Sequence, residues 1–172
     1  MASVIDSKGY RECVGIIILN PQRKVFWGQR IGNRDAWQFP QGGVYKHERP
    51  EEALYRELRE EVGLNADDVR LIAQTNDWLK YDLPKSMIQT NRLPVCIGQK
   101  QMWFLLKLKN ANTQISLTTT ANPEFSGWDW VDYWLPPRRV ISFKRKVYRE
   151  ALKEFAPFVF KHFRKNSKNY RK

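Results

Sequence analysis

The sequence predicts an α/β protein in which a mixed sheet lies between helices, and three observations carry that expectation. A continuous apolar, largely β-branched run from Val14 to Leu19, interrupted only by Gly15, reads as a buried strand. An amphipathic segment from Pro50 to Val62 reads as a helix with strand candidates on both sides. Near the C-terminus Val140, Phe143, Val147, Ala151, Phe155 and Val159 recur at helical spacing and predict a second helix.

Taken in order, YRECVGIIILN (10–20) is followed by a turn at Pro21, Gln22 and Arg23. Lys24 to Arg30 should return antiparallel as a hairpin, with Val25 and Trp27 on one face. IGNRDAWQFPQGG then reads as a polar loop that delivers Trp37, Gln38 and Phe39. Gly42 and Gly43 permit close approach of backbone to a ligand, although paired glycines are also ordinary turn material. After the central helix, Val69 to Thr75 is a strand, and DWLKYDLPKSMIQTNRLP is an irregular loop of functional or mobile character. The longest strand candidate, PVCIGQKQMWFLLKLK (94–109), has Met102 to Leu106 buried on both faces. A polar surface connection, NANTQISLTTTANP, leads to EFSGWDWVD, a strand carrying Phe125, Trp128 and Trp130 that breaks at Pro136 and Pro137. A helix from about 138 to 163 closes the domain, with Pro157 kinking or shortening it.

The length of 172 residues suits one domain, 1–160, followed by a basic tail, 161–172, that holds six Lys or Arg and no acid. Such a tail is normally disordered. Lys and Arg outnumber Asp and Glu by 30 to 18, and the resulting net charge of +12 favours a polyanionic partner; plain solubility charge is the alternative. Cys13 and Cys96 each sit in an apolar run, which suits buried thiols in a reduced compartment rather than a disulfide or metal site. With no apolar leader and no run long enough to span a bilayer, the expectation is a cytoplasmic protein without a membrane partner.

Chemistry concentrates in GGVYKHERPEEALYRELREEVGL, residues 42–64. Pro50 suits a first helical turn, Glu51 and Glu52 suit its positive end, and Gly63 supplies a left-handed stop. Leu54, Leu58 and Val62 form an apolar stripe, and Glu57, Glu60 and Glu61 share the neighbouring face. Acidic helix faces are usually solvated, and Arg56 and Arg59 are close enough to pair with this one. Like charges three and four apart nonetheless destabilise a helix, so a hard divalent cation gives the cluster a physical reason.

With Gly42, Glu48, Arg56, Glu57, Leu58, Glu60, Glu61, Gly63 and Leu64 at these spacings, the segment resembles the Nudix box, GX5EX7REUXEEXGU, at every fixed position. The resemblance implies a Nudix-type α/β/α sandwich with a mixed central sheet and a hydrolase of nucleoside diphosphate linkages. It further implies that Glu57, Glu60 and Glu61 bind divalent metal, Mg²⁺ or else Mn²⁺, while Glu48 and Arg56 brace loop against helix. Outside the box GYRECVGIII, VFWGQR, AWQFPQGG, PVCIGQKQMWFLL, PEFSGWDWV and YWLPPRRVISFKRKVY are similar to the bacterial RNA pyrophosphohydrolases, a group also described as dinucleoside polyphosphate hydrolases. That group implies an additional metal carboxylate at Glu124, which could otherwise be a surface acid. It also implies an RNA base stacked between Arg30 and Phe143, although Phe143 keeps the helical period and could be core. Tyr81, Lys144, Arg11 and Gln99 would contact RNA phosphates or bases. The implied reaction converts the 5′ triphosphate or diphosphate end of RNA to a monophosphate and so initiates mRNA decay, with Glu57 or Glu61 as general base. Dinucleoside polyphosphates are the rival substrate, and a non-catalytic RNA-binding module is the reading from another class.

Overall fold

Successive residues of a strand face opposite sides of a sheet, so an unbroken apolar run demands cover on both sides. The computed structural model describes residues 2–161 and shows that cover. Among these residues eight strands form one mixed sheet: β1 (Tyr10–Leu19), β2 (Val25–Arg30), β3 (Trp37–Gln38), β4 (Gln41–Gly43), β5 (Val69–Gln74), β6 (Leu79–Asp82), β7 (Gly98–Leu108) and β8 (Phe125–Val131). The order is β3-β2-β1-β7-β5, with β4 also on β1, β6 on β7 and β8 on β2. β1 and β7 run parallel, from Tyr10 opposite Gly98 to Leu19 opposite Lys107, and the other pairings are antiparallel.

Ile17 and Leu19 of β1 face one core with Trp27, Phe39, Trp103 and Leu105, closed by Val147, Tyr148, Ala151, Leu152 and Phe155. Those last five belong to α3 (Arg145–Val159). Val14, Ile16 and Ile18 face the other core with Phe26, Phe104 and Leu106, closed by Ala53, Leu54, Leu58 and Val62. Two apolar layers sandwich the sheet, and the fold is the mixed α/β arrangement expected. The helix α1 (Pro50–Glu57) starts at Pro50, where Glu52 accepts the Arg49 N–H at 2.8 Å. No helix among the described residues is long and apolar enough to cross a membrane.

Local expectations needed five corrections. The helix predicted from Pro50 to Val62 is α-helical only to Glu57, and Leu58–Val62 form a wider π turn before Gly63 stops the chain at φ 73°. The stretch read as a polar loop contains β3 and β4, because β2 and β1 offer open edges to Trp37–Gln38 and Gln41–Gly43. The stretch read as irregular contains β6, paired with β7 from Leu79 opposite Gln101 to Asp82 opposite Gly98, and a short 3₁₀ turn at Lys85–Met87. The predicted last helix is broken into α2 (Pro136–Arg139), a 3₁₀ turn at Ser142–Lys144, and α3. Extended backbone at Val140 and Ile141 separates these pieces, so Val140 and Phe143 keep a helical spacing without sharing a helix with Val147. Pro157 lies in the final turn of α3, which ends at Val159. Cys13 is buried as expected, whereas Cys96 is only half-buried. Of the basic tail, 162–172 lies outside the described residues.

One contact ties this frame to the chemistry. The hydroxyl of Tyr148, fully buried in α3, accepts the Phe39 N–H at 3.1 Å and so fixes the short segment leading into Gln41 and the paired glycines. Tyr148→Phe should strand that buried N–H and cost about 1 to 3 kcal/mol, read from urea unfolding of both proteins. Unchanged stability would mean that the Phe39 N–H finds another acceptor and that the segment is held elsewhere.

Candidate active site

Arg56, next to last in α1, makes the contacts that shape the site. Its Nε and Nη2 donate to the two carboxylate oxygens of Glu48 at 2.7 and 2.9 Å, the two-pronged geometry that suits guanidinium and carboxylate. Nη2 also donates to the Gly43 carbonyl at 2.7 Å, and Nη1 donates to Glu57 Oε1 at 2.7 Å while lying 3.5 Å from Glu60 Oε2. The guanidinium is 3.9 Å from the centre of the Tyr45 ring, and Glu48 accepts the Tyr45 N–H at 2.9 Å. Arg56 therefore stitches the 43–48 loop to the helix and aims Glu57. Gly42 has to be glycine for this to close, since a β-carbon there would fall inside the Glu57 carboxyl group.

The π turn carries the next two carboxylates. Turns of this kind widen the helix and are frequent at functional sites. The chain after it is anchored at two points: Ser116 N–H donates to the Val62 carbonyl at 2.9 Å, and the Thr119 hydroxyl reaches the carbonyls of Arg59 and Glu60, both at 2.9 Å. That anchored connection leads to Glu124, just ahead of β8. As a result Glu57, Glu60, Glu61 and Glu124 line one pocket of about 330 Å³.

Their electrostatics are uneven. Arg56 holds the Glu48 carboxyl below the usual carboxylate range. Burial pushes Glu57 up, and its pairing with Arg56 offsets part of that. Burial, then the charges of Glu57 and Glu124, push Glu61 well above the usual range, although it accepts the Gln41 N–H at 3.2 Å. Glu57 and Glu61 are each only 8% exposed. Among the described residues no three His, Cys, Asp or Glu side chains are already closed to the spacing of a bound metal. The donor set nevertheless fits a hard divalent cation: it is all oxygen, opens to a pocket, and holds more buried negative charge than Arg56 neutralises.

Beside this acidic pocket runs a cleft of about 490 Å³ of different character. Besides Glu124, six residues singled out in the sequence line it, Arg11 from β1, Arg30 from β2, Tyr81 from β6, Gln99 from β7, and Phe143 and Lys144 from the 3₁₀ turn before α3. Gly42 and Gly43 line a smaller hollow at its acidic end, together with Arg11, Gln99, Glu57, Glu61 and Glu124. Phe143 is both a cleft wall and a half-buried core contact, its ring 5.6 Å from that of Tyr81. Lys144 is 7% exposed, and its hydrogen-bonding partners are neutral, the side-chain oxygens of Gln38 at 3.3 Å and Gln41 at 3.5 Å. Burial, reinforced by Arg30, holds its pKa down to about 8. Gln41 and Arg139 also line the cleft and were not singled out from the sequence, and Trp37, expected only as part of the loop ahead of the glycines, lines it too. Only for Gln41 was a signal present, its place directly ahead of the paired glycines.

A mixed sheet sandwiched by helices is an architecture found in solved structures. The fold is similar to that of the dihydroneopterin triphosphate pyrophosphohydrolase of E. coli, with a TM-score of 0.67 over 85% of this chain and 96% of that one at 23% identity. It is also similar to a C. elegans Ap4A hydrolase, with a TM-score of 0.60 over 85% and 96% at 18% identity. At such identities the likeness speaks for the fold alone. In sequence, the NUDIX domain model matches residues 9–152, and the chain belongs to the Nudix family. Among its relatives are the RNA pyrophosphohydrolase of Hahella chejuensis, 57% identical over 158 residues that make up 92% of this chain and 98% of that protein. The RNA pyrophosphohydrolase of Hydrogenovibrio crunogenus is 53% identical over 162 residues, 94% and 98% of the two chains. Nudix hydrolases depend on divalent metal.

The strained carboxylates make a stability prediction. A group whose pKa is raised by folding stabilises the fold below its ordinary pKa and loses that contribution as pH rises through the raised value. Glu61→Gln keeps an acceptor for the Gln41 N–H and removes the charge. In chelator at neutral pH the variant should therefore melt higher than the parent, with the difference shrinking as pH falls and Glu61 takes up its proton. Thermal unfolding across this range checks it, and a lower melting temperature at neutral pH would show that the Glu61 charge is already compensated.

Proposed function

We propose that this chain is an RNA 5′ pyrophosphohydrolase that uses a divalent metal, Mg²⁺ before Mn²⁺, to hydrolyse the 5′ triphosphate or diphosphate end of RNA to a monophosphate, the step that opens an mRNA to decay. One observation carries the reading: Glu124 lines both the four-carboxylate pocket and the cleft with its cationic and aromatic walls. A ligand spanning the two must join a metal-seeking phosphate chain to a base. The names of the relatives, which cover nearly their whole length, support RNA as that ligand. Dinucleoside polyphosphates present the same anhydride bonds and remain the alternative substrate. A binder without chemistry is disfavoured, since four carboxylates facing a polyanion would only repel it.

In this reading Glu57, Glu60, Glu61 and Glu124 would hold the metal. When bound it supplies charge neutralisation for the phosphates and a lower pKa for the attacking water. Glu61 is the better candidate for general base, because one oxygen of Glu57 is already engaged by Arg56 while Glu61 pairs with no cation among the described residues. Lys144 and Arg11 would meet the phosphates, and the buried Lys144 ammonium, with only neutral partners, gains most from an arriving anion. Arg30 and Phe143 would clasp a base between a cationic plane and an aromatic face.

The protein should release phosphate or pyrophosphate from 5′-triphosphorylated RNA with Mg²⁺ and not in chelator. Phe143→Ala should weaken RNA affinity by about 1 to 3 kcal/mol, the range of base–aromatic stacking, in a binding titration with melting temperature as the folding control. A lower melting temperature with unchanged affinity would make Phe143 a core residue only. Faster turnover of dinucleoside polyphosphates than of RNA would put the alternative substrate first.

A further inference from the structure

Two basins share wall residues with the cleft, and their linings carry opposite charge. One, of about 410 Å³, shares Asp35, Trp37 and Arg139 with the cleft and adds a second acid, Asp129. The other, of about 550 Å³, shares Arg11, Leu83 and Met87 with the cleft and adds Arg92 and Leu93, with no acid in its lining. Among the described residues neither Arg11 nor Arg92 lies within ion-pair distance of a carboxylate. Arg11 is anchored through Nε to the Ser3 hydroxyl and lines both the cleft and this basin. Met87 is 49% exposed and Leu93 is 88% exposed, an unusual display of apolar surface around a basic hollow.

Resting on the RNA reading above, we propose that this second basin, between the N-terminal residues and the 83–96 segment, receives the nucleotides downstream of the reacting end. The phosphodiester backbone passes Arg11 and Arg92, and bases or riboses lie against Met87 and Leu93. Charge selects this exit. A strand leaving through the other basin would carry its phosphates past Asp35 and Asp129 against a single Arg139, whereas here every charged group is a cation. The apolar rim adds sequence-tolerant contact, because a thioether packs well on an aromatic ring and a nucleobase offers one whatever its identity. The basin thus distinguishes an RNA chain from a dinucleoside polyphosphate, which has no downstream backbone to place in it.

The test compares a 5′-triphosphorylated dinucleotide with an unstructured 5′-triphosphorylated oligoribonucleotide long enough to cross the basin, using the full chain and fixed Mg²⁺. Arg92→Gln should raise the KM of the oligonucleotide several-fold more than that of the dinucleotide and lower the oligonucleotide's salt slope by roughly 0.7, one single-strand phosphate contact. Asp129→Asn, in the rival basin, should leave the ratio of the two substrates where it was. Arg92 is exposed on a loop, so folding is not at stake. Equal effects of Arg92→Gln on both substrates, or a ratio moved by Asp129→Asn instead, would overturn the proposed path while hydrolysis itself stands. Hydrolysis of neither substrate by the parent protein would instead remove the RNA reading and this inference with it.

Discussion

The Arg56 guanidinium is the contact on which the site depends. Four of its N–H groups are engaged by Glu48, Gly43 and Glu57, and the remaining edge faces Glu60. The side chain is only 15% exposed, so these are not the weak, solvent-screened pairs of a protein surface. Removing it would leave Glu48 and Glu57 buried without a counter-charge, a far larger loss than one hydrogen bond. One residue therefore sets loop position, helix register and carboxylate direction together.

The site also shows why an acidic centre can sit inside a protein with a net charge of +12. The buried carboxylates and the buried Lys144 line adjoining compartments that share Glu124, and no ion pair closes between them among the described residues. Among the described residues Glu61 makes no ion pair with a cation and Lys144 none with a carboxylate. Each is costly in the protein by itself, and in the proposed reading each is offset by a different part of the same ligand assembly, the metal on one side and the phosphates on the other. The aromatic core behind them, Phe39, Trp103 and Tyr148 with ring centres 4.9 to 5.8 Å apart, supplies the rigidity that holds such charges in place.

Much of this was legible in the sequence where the controlling interactions are local. The β-branched run, the apolar stripe Leu54, Leu58, Val62 and the glycine stop depend on neighbours a few residues away, and the structure places them as the periodicity implied. The π turn was not legible, because Leu58 to Val62 satisfy an α-helical pattern equally well and only packing of the following chain against their carbonyls favours the wider turn. β3, β4 and β6 were missed for a related reason: Gln41–Gly43 and Leu79–Asp82 have weak strand character and are strands because β1 and β7 present edges to them. The cleft draws on several separate stretches of chain, so Trp37 and Arg139 carry no mark in sequence of standing beside Arg30 and Phe143.

The fold gathers carboxylates whose charge Arg56 compensates only in part, and in the proposed reading a divalent cation completes the compensation. Calorimetric titration of Mg²⁺ into the chelator-stripped protein, in buffers of different ionisation enthalpy, measures it by counting the protons exchanged. Binding in the mildly acidic range should release protons from the Glu57–Glu61 pair, with the release fading as pH rises and much reduced in Glu61→Gln. Mg²⁺ binding that releases no protons at any pH, in parent and variant alike, would contradict the account.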